Sequence, residues 1–120
     1  MVSLQYQNSR LTAPRVRTAR DSLLNDEATT LLHPVRGLLC EPTRTQIVRV
    51  LSVSPLTVGE LAAALKRSKS ATSQHLRVLR ECGVVASHRR GRSIIYSLVT
   101  SPMLDAAVEM IDRAATIAAA

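Results

Sequence analysis

The side chains with the clearest chemical potential are basic, and most of them lie in one stretch of the chain. Residues 66–92 contain eight Lys or Arg against one acid, Glu81. Residues 1–20 add four Arg and no acid, whereas the rest of the chain holds eight acids and four Arg. A basic block of this kind, set in an otherwise acidic chain, is typical of a protein that meets a polyanion on one face.

Within this basic block (residues 66–92), the residue pattern predicts a helix over about Lys69–Cys82 with two unlike faces. At about 100° per residue, one side gathers mainly apolar residues: Ala71, Thr72, His75, Leu76, Leu79 and Cys82. The other side carries hydrogen-bonding and charged side chains: Lys69, Ser70, Ser73, Gln74, Arg77 and Glu81. The side chains of such a short polar and basic face can form hydrogen bonds with the edges of bases in a nucleic-acid groove.

The sequence also predicts where the elements around this helix begin and end. Thr57 and Glu60 have the spacing of a capping box, which predicts a helix from about residue 58 to 65, and Ser68 is expected to cap the next helix. After a C-terminal glycine, two β-rich runs at residues 84–88 and 93–98 predict a hairpin whose tip bears Arg89, Arg90 and Arg92. Helix, short turn, helix and basic hairpin together predict a winged helix-turn-helix fold, mainly α-helical with a small β-hairpin wing.

The rest of the chain divides simply. We predict a flexible basic N-terminal arm over residues 1–25 and one DNA-binding and dimerisation domain over residues 26–120. Pro34 interrupts a run of helical spacing, so a helix is expected to kink or begin there. The last helix, starting at Ser101-Pro102, is more apolar than one small domain needs, which favours pairing with a second copy.

Several classes are excluded by what the chain lacks. No window is apolar enough for a membrane span, and no signal peptide is recognisable. Two Cys are too few for a disulfide scaffold, so a reducing cytoplasm is the expected location. We expect no enzyme, because there is no nucleophile–base pair, carboxylate pair or phosphate-binding glycine loop.

Several motifs together resemble the ArsR/SmtB family of bacterial repressors over about residues 31–117. The runs that carry the resemblance are Cys40–Arg44, Val58–Ala62, Ser68–Val85, Arg89–Arg92 and Tyr96–Leu98. The resemblance implies a cytoplasmic homodimer, joined through its first and last helices, that represses by binding a palindromic double-stranded DNA operator and leaves it when an inducer binds. By positional match, the groove-facing residues are Lys69, Ser70, Ser73 and Gln74, the phosphate contact is Arg77, and the wing contacts are Arg89, Arg90 and Arg92.

The family is also known for metal sites, but the matching positions here lack ligands. One site would fall on Thr57 and Gly59, and the other on Thr100, Pro102, Arg113 and Thr116. We therefore expect no metal and no other cofactor, and the inducer is left unidentified. His75 matches a family histidine, but its apolar side of the helix favours a structural role.

Three alternatives stay open. One is a thiol- or redox-responsive regulator acting through Cys40 and Cys82, although both thiols are expected to be small buried hydrophobes. Another is a sequence-tolerant architectural DNA-binding protein, in which Lys or Arg would be expected in place of Ser70, Ser73 and Gln74. The third is an interaction module whose last helix binds another protein.

Overall fold

The computed structural model describes residues 13–120, in two compact units that meet between Thr30 and Leu31. In the first unit, residues 13–21 form helix α1, and α2 (Asp26–Leu31) begins there after Asn25, whose side chain accepts the Ala28 N–H at 2.8 Å. Part of the segment expected to be an irregular arm is therefore helical, since Pro14 suits a first turn and Ala and Arg are good helix formers. Residues 1–12 of that predicted arm lie outside the described residues.

The second unit contains most of the secondary structure. Its elements are α3 (His33–Arg36), α4 (Pro42–Val53), β1 (Leu56–Thr57), α5 (Val58–Leu65), α6 (Lys69–Glu81), β2 (Val85–Arg90), β3 (Ser93–Leu98) and α7 (Pro102–Ala119). The helical spacing around Pro34 is interrupted as predicted: α2 ends at Leu31, and Pro34 stands in the first turn of the short α3. No helix among residues 13–120 is long and apolar enough to cross a membrane.

The predicted helix starts are confirmed. Thr57 and Glu60 form both bonds of the capping box: the Glu60 N–H donates to Thr57 Oγ1 at 3.2 Å, and the Thr57 N–H donates to Glu60 Oε1 at 2.9 Å. Ser68 accepts the Ala71 N–H at the start of α6, and Ser101 accepts the Leu104 N–H at the start of α7. Each bond satisfies an N–H that the helix itself leaves unpaired, so these starts are fixed locally.

The wing is a three-stranded antiparallel sheet in the order β1-β3-β2. β2 and β3 form the predicted hairpin, but β2 extends to Arg90, so only Gly91 and Arg92 form the turn. Gly91 has φ +63°, which a side chain would strain. β1 was not predicted, because a two-residue strand has no period to detect; its Leu56 pairs with Tyr96 of β3.

The core lies beneath α6, between α4, α5, α7 and the base of the wing. Its fully buried side chains include Leu38, Ile47, Val48, Leu61, Leu76, Leu79, Val84, Val85 and Leu104. Thr72 of α6 is also buried, and its hydroxyl donates to the Ser68 carbonyl at 2.8 Å, so this polar group is satisfied. The apolar side predicted for α6 is thus the side that faces the core.

Candidate nucleic-acid interface

Helix α6 presents its polar side to solvent. The five side chains predicted to face DNA from this helix are all exposed: Lys69, Ser70, Ser73, Gln74 and Arg77. The core side of α6 is anchored by Leu76 and Leu79, which are almost completely buried. Packing on one side and solvent on the other leaves a rigid polar surface that can enter a major groove.

Lys69 lies over the first turn of α5. A Cβ built on Gly59 would stand 3.5 Å from Lys69 Cε and 3.7 Å from Lys69 Nζ. These are ordinary van der Waals distances, so the lysine stem lies directly against the first turn of α5. The sequence did not indicate this contact, because Gly59 has an ordinary helical conformation and no turn requires it there.

Arg77 is held by a weak surface ion pair. Its Nε lies 3.2 Å from Glu81 Oε1, one helical turn further on, and both side chains are exposed. Pairs of this kind contribute about 0.3–0.5 kcal/mol. A phosphate oxygen can replace the carboxylate at little cost, so the pair is compatible with a DNA contact by Arg77.

The wing carries the other predicted basic residues. Arg89 and Arg90 lie at the end of β2, Arg92 lies in the turn, and all three are exposed. Arg80 Nη1 donates to Ser87 Oγ at 3.4 Å and so links α6 to the base of this wing. The sequence alone did not indicate that α6 and β2 lie this close together.

His75 is half-buried and hydrogen-bonded, which matches its predicted structural role. Its Nδ1 accepts the Arg44 Nε–H at 3.3 Å, which requires the neutral ring with its proton on Nε2. The Arg44 guanidinium also packs under the turn after α3, since a Cβ built on Gly37 would lie 3.6 Å from Arg44 Nη1. Nothing in the sequence pattern indicated this contact between Arg44 and α6.

Glu41 stands at the start of α4, close to the same pair. Its carboxylate accepts the Thr43 N–H at 2.9 Å, and this hydrogen bond lowers the pKa of Glu41. Partial burial works in the opposite direction, and the positive charge of Arg44 nearby lowers that pKa further. Glu41 is therefore ionised at neutral pH.

The prediction that both thiols are buried is wrong for Cys40. Cys40 is exposed, with its Sγ 3.5 Å from the Arg36 carbonyl oxygen, whereas Cys82 is half-buried against the core. Residues 37–40 form turns after α3, so Cys40 lies outside a helix and its side chain meets solvent. Among residues 13–120 there is no group of three His, Cys, Asp or Glu arranged to hold a metal ion.

Comparisons with known proteins agree with this geometry. The family model described as bacterial regulatory protein, arsR family, matches residues 41–87. The HTH-type transcriptional regulator NmtR of Mycobacterium tuberculosis is 39% identical over 88 residues, which cover 71% of this chain and 73% of NmtR. The transcriptional repressor SdpR of Bacillus subtilis is 36% identical over 67 residues, covering 56% and 74%.

Solved structures show the same fold. The structure of HlyU from Vibrio cholerae N16961 superposes with a TM-score of 0.66 at 30% identity, covering 75% of this chain and 96% of HlyU. The predicted winged helix-turn-helix fold is confirmed.

Proposed function

Because the chain belongs to the ArsR family of bacterial regulatory proteins and is a DNA-binding transcriptional regulator, we propose that it acts as a homodimeric repressor of a palindromic operator. The observation that carries this proposal is the exposed polar side of α6 next to a wing with three exposed arginines. Repression is the mode of the similar SdpR, which is named a transcriptional repressor. An inducer, still unidentified, releases the protein from DNA.

The proposed contacts divide into base readers and phosphate contacts. Ser70, Ser73 and Gln74 lie where a major-groove helix meets base edges, and Lys69 begins the same face. Each well-placed base contact contributes about 1–3 kcal/mol of discrimination. Arg77 and the wing residues Arg89, Arg90 and Arg92 supply sequence-independent attraction to phosphates.

The homodimer is proposed from the exposed apolar residues of α7. Met110 is 56% exposed and Ile117 is 68% exposed, so the helix leaves large apolar side chains in water. A groove of about 410 Å³ runs beside Met110 between α4 and α7, with Leu39 on its edge. A second copy would cover this surface and give two reading helices for two half-sites.

We propose that the inducer is not a metal bound at the two sites known in the family. Thr57 uses its hydroxyl to cap α5, and Gly59 offers no side chain. At the second site, Pro102 and Arg113 are not ligands of the required type. A second candidate is favoured by the exposure of Cys40: a thiol-responsive repressor, in which Cys40→Ser and Cys82→Ser proteins lose release by oxidants.

The test is selection of genomic fragments by the reduced protein at about 150 mM salt, with excess competitor DNA to suppress the electrostatic part of binding. The proposal expects a few sites with inverted half-sites about 10 base pairs apart, or a multiple of that spacing. Indiscriminate recovery would overturn it in favour of an architectural DNA-binding protein. Absence of any DNA recovery would favour a protein-interaction module.

Two variants then separate readers from phosphate contacts. Gln74→Ala is expected to lose about 1–3 kcal/mol of preference for one base pair and to keep its salt dependence. Arg77→Gln is expected to weaken binding equally for all sequences and to lower the salt slope by about 1 per protomer. Identical behaviour of the two variants would contradict the proposed division of roles.

A further inference from the structure

We propose that helix α1 is an additional DNA-binding surface, which contacts backbone phosphates. This inference rests on the proposed function, because it assumes that the chain binds duplex DNA. It adds a surface outside the helix-turn-helix and the wing, in the first compact unit of the chain.

The charge of α1 is uncompensated. Arg15, Arg17 and Arg20 lie within six residues, and all three are exposed. The two ion pairs among residues 13–120 join residues of other helices, so neither engages α1. Asp21 is the only acid in the helix and stands at its end. Three adjacent guanidinium groups without acidic partners attract a polyanion.

The arginines spread over about 200° of the helix circumference. At about 100° per residue, Arg15 and Arg20 flank a narrow strip formed by Val16 and Ala19, and Arg17 lies next to Arg20. Asp21 lies about 40° beyond Arg17, one turn further along the helix. A helix lying along a groove has phosphates on both sides and base edges beneath, so cations on both flanks of a small apolar strip fit that position.

The apolar strip is too small for the other common anionic surface, a membrane. Interfacial helices bury a wide apolar face that includes large side chains. Val16 is the one large hydrophobe in the residues of α1 that the structure describes, and it is 48% exposed. The observations therefore favour a polyanion that is bound through charge.

The helix also needs stabilisation that its own packing does not supply. Every described residue of α1 is exposed, so none of residues 13–21 holds the helix by packing in a core. Helices depend largely on such packing for their stability in water. Repulsion among the arginines adds to this cost. Phosphates that neutralise the arginines would remove the repulsion and favour the helix, which couples its stability to DNA binding.

Four residues, 22–25, separate α1 from α2. Fully extended, they span about 14 Å, which gives the helix freedom to adjust to a phosphate backbone. The contact is therefore expected to be insensitive to base sequence, in contrast to the proposed reading by Gln74 of α6.

The test compares the wild-type chain with two triple variants, on a mixed-sequence duplex and on the selected operator fragments. Arg15→Gln/Arg17→Gln/Arg20→Gln removes the charge, and Arg15→Lys/Arg17→Lys/Arg20→Lys keeps it. We expect the Gln variant to bind both DNAs at least tenfold more weakly at low salt. Its slope of log affinity against log salt should fall by up to about 2.7 per protomer, whereas the Lys variant stays close to wild type.

The outcomes are separable from those of the proposed function. If the wild type selects an operator and the Gln variant binds it with unchanged affinity and slope, the inference on α1 is wrong while the repressor proposal stands. If the Gln variant instead loses binding to anionic phosphatidylglycerol vesicles and keeps its DNA slope, the charge serves a membrane surface and the inference is also overturned. If the wild type binds no DNA at all, the proposed function itself fails.

Discussion

Helices α6 and α7 are built alike on one side and differ on the other. Both place an apolar stripe on the core, through Leu76 and Leu79 in α6 and through Leu104 and Ile111 in α7. The exposed side of α6 carries hydroxyl, amide and basic groups, whereas α7 exposes large apolar side chains such as Met110. The contrast shows that core packing sets where a helix lies, and the opposite face sets what it binds.

Substitutions on the exposed face of α6 and on the exposed face of α7 should therefore have separate effects. A change on α7 should affect association of the chain with itself, and a change around α6 should affect the fold or DNA recognition without altering that association. The following substitutions test this separation, beginning with the largest expected effect.

Met110→Glu is expected to abolish self-association. An unpaired carboxylate in an apolar interface costs about 3–5 kcal/mol, which weakens association more than 100-fold. Sedimentation should show a monomer with an unchanged circular dichroism spectrum. Val53→Glu is the matched control, because Val53 is 85% exposed at the end of α4, outside α7, and should leave the dimer intact. A dimeric Met110→Glu protein would remove α7 as the proposed interface.

His75→Leu is expected to lower the free energy of unfolding by about 1.5–3 kcal/mol, because it leaves the half-buried Arg44 Nε–H without an acceptor. His75→Gln offers an amide oxygen and should retain more of the stability. Urea unfolding measures both. Equal losses in the two variants would mean that packing of the ring, and not the bond to Arg44, holds α6 on α4.

Lys66→Gly is expected to stabilise the protein by up to about 1 kcal/mol. Lys66 ends α5 at φ 55°, a left-handed conformation that glycine adopts without strain. Lys66→Ala is the control, since it removes the charge and keeps the strain. Gly83→Ala, at φ +75° just after α6, should shift the melting temperature in the opposite direction. A gain from Lys66→Ala equal to that from glycine would contradict the backbone explanation.

Glu41→Gln is expected to cause the smallest change, and one that depends on pH. The pKa of Glu41 is lowered in the folded chain, first by the hydrogen bond from the Thr43 N–H, so ionised Glu41 stabilises the fold above the ordinary glutamate pKa of about 4.3. This contribution is lost as pH falls through the lowered value. Melting temperatures of the two proteins should differ at pH 7 and converge once the pH falls below the lowered pKa of Glu41. A constant difference would show that charge at Glu41 does not matter.

The features that the sequence predicted correctly are those determined by residues within a single helix or strand. The start of α5 at Thr57, the start of α6 at Ser68 and the two faces of α6 all follow from hydrogen-bonding groups and spacing within one element. The winged helix-turn-helix arrangement followed from their order. The roles assigned to Ser73, Gln74 and the wing arginines stay predictions, because they depend on contacts with DNA.

What the sequence did not predict depends on contacts between distant residues or on very short elements. The hydrogen bond from Arg44 to His75 spans 31 positions of the sequence, and no residue pattern in either helix predicts it. Strand β1 exists only because β3 lies beside it. Cys40 is exposed in the turns that follow α3, whereas its residue type had favoured burial.

Thr57 takes part in both the three-stranded wing and helix α5. It pairs with Ile95 as the last residue of β1, and it caps α5 with its side chain. The hairpin therefore cannot tilt away from the helix-turn-helix without pulling on the residue that holds the first turn of α5. The wing is therefore coupled through Thr57 to α5, the first helix of the helix-turn-helix, so release from DNA is expected to move the hairpin and α5 as one rigid piece.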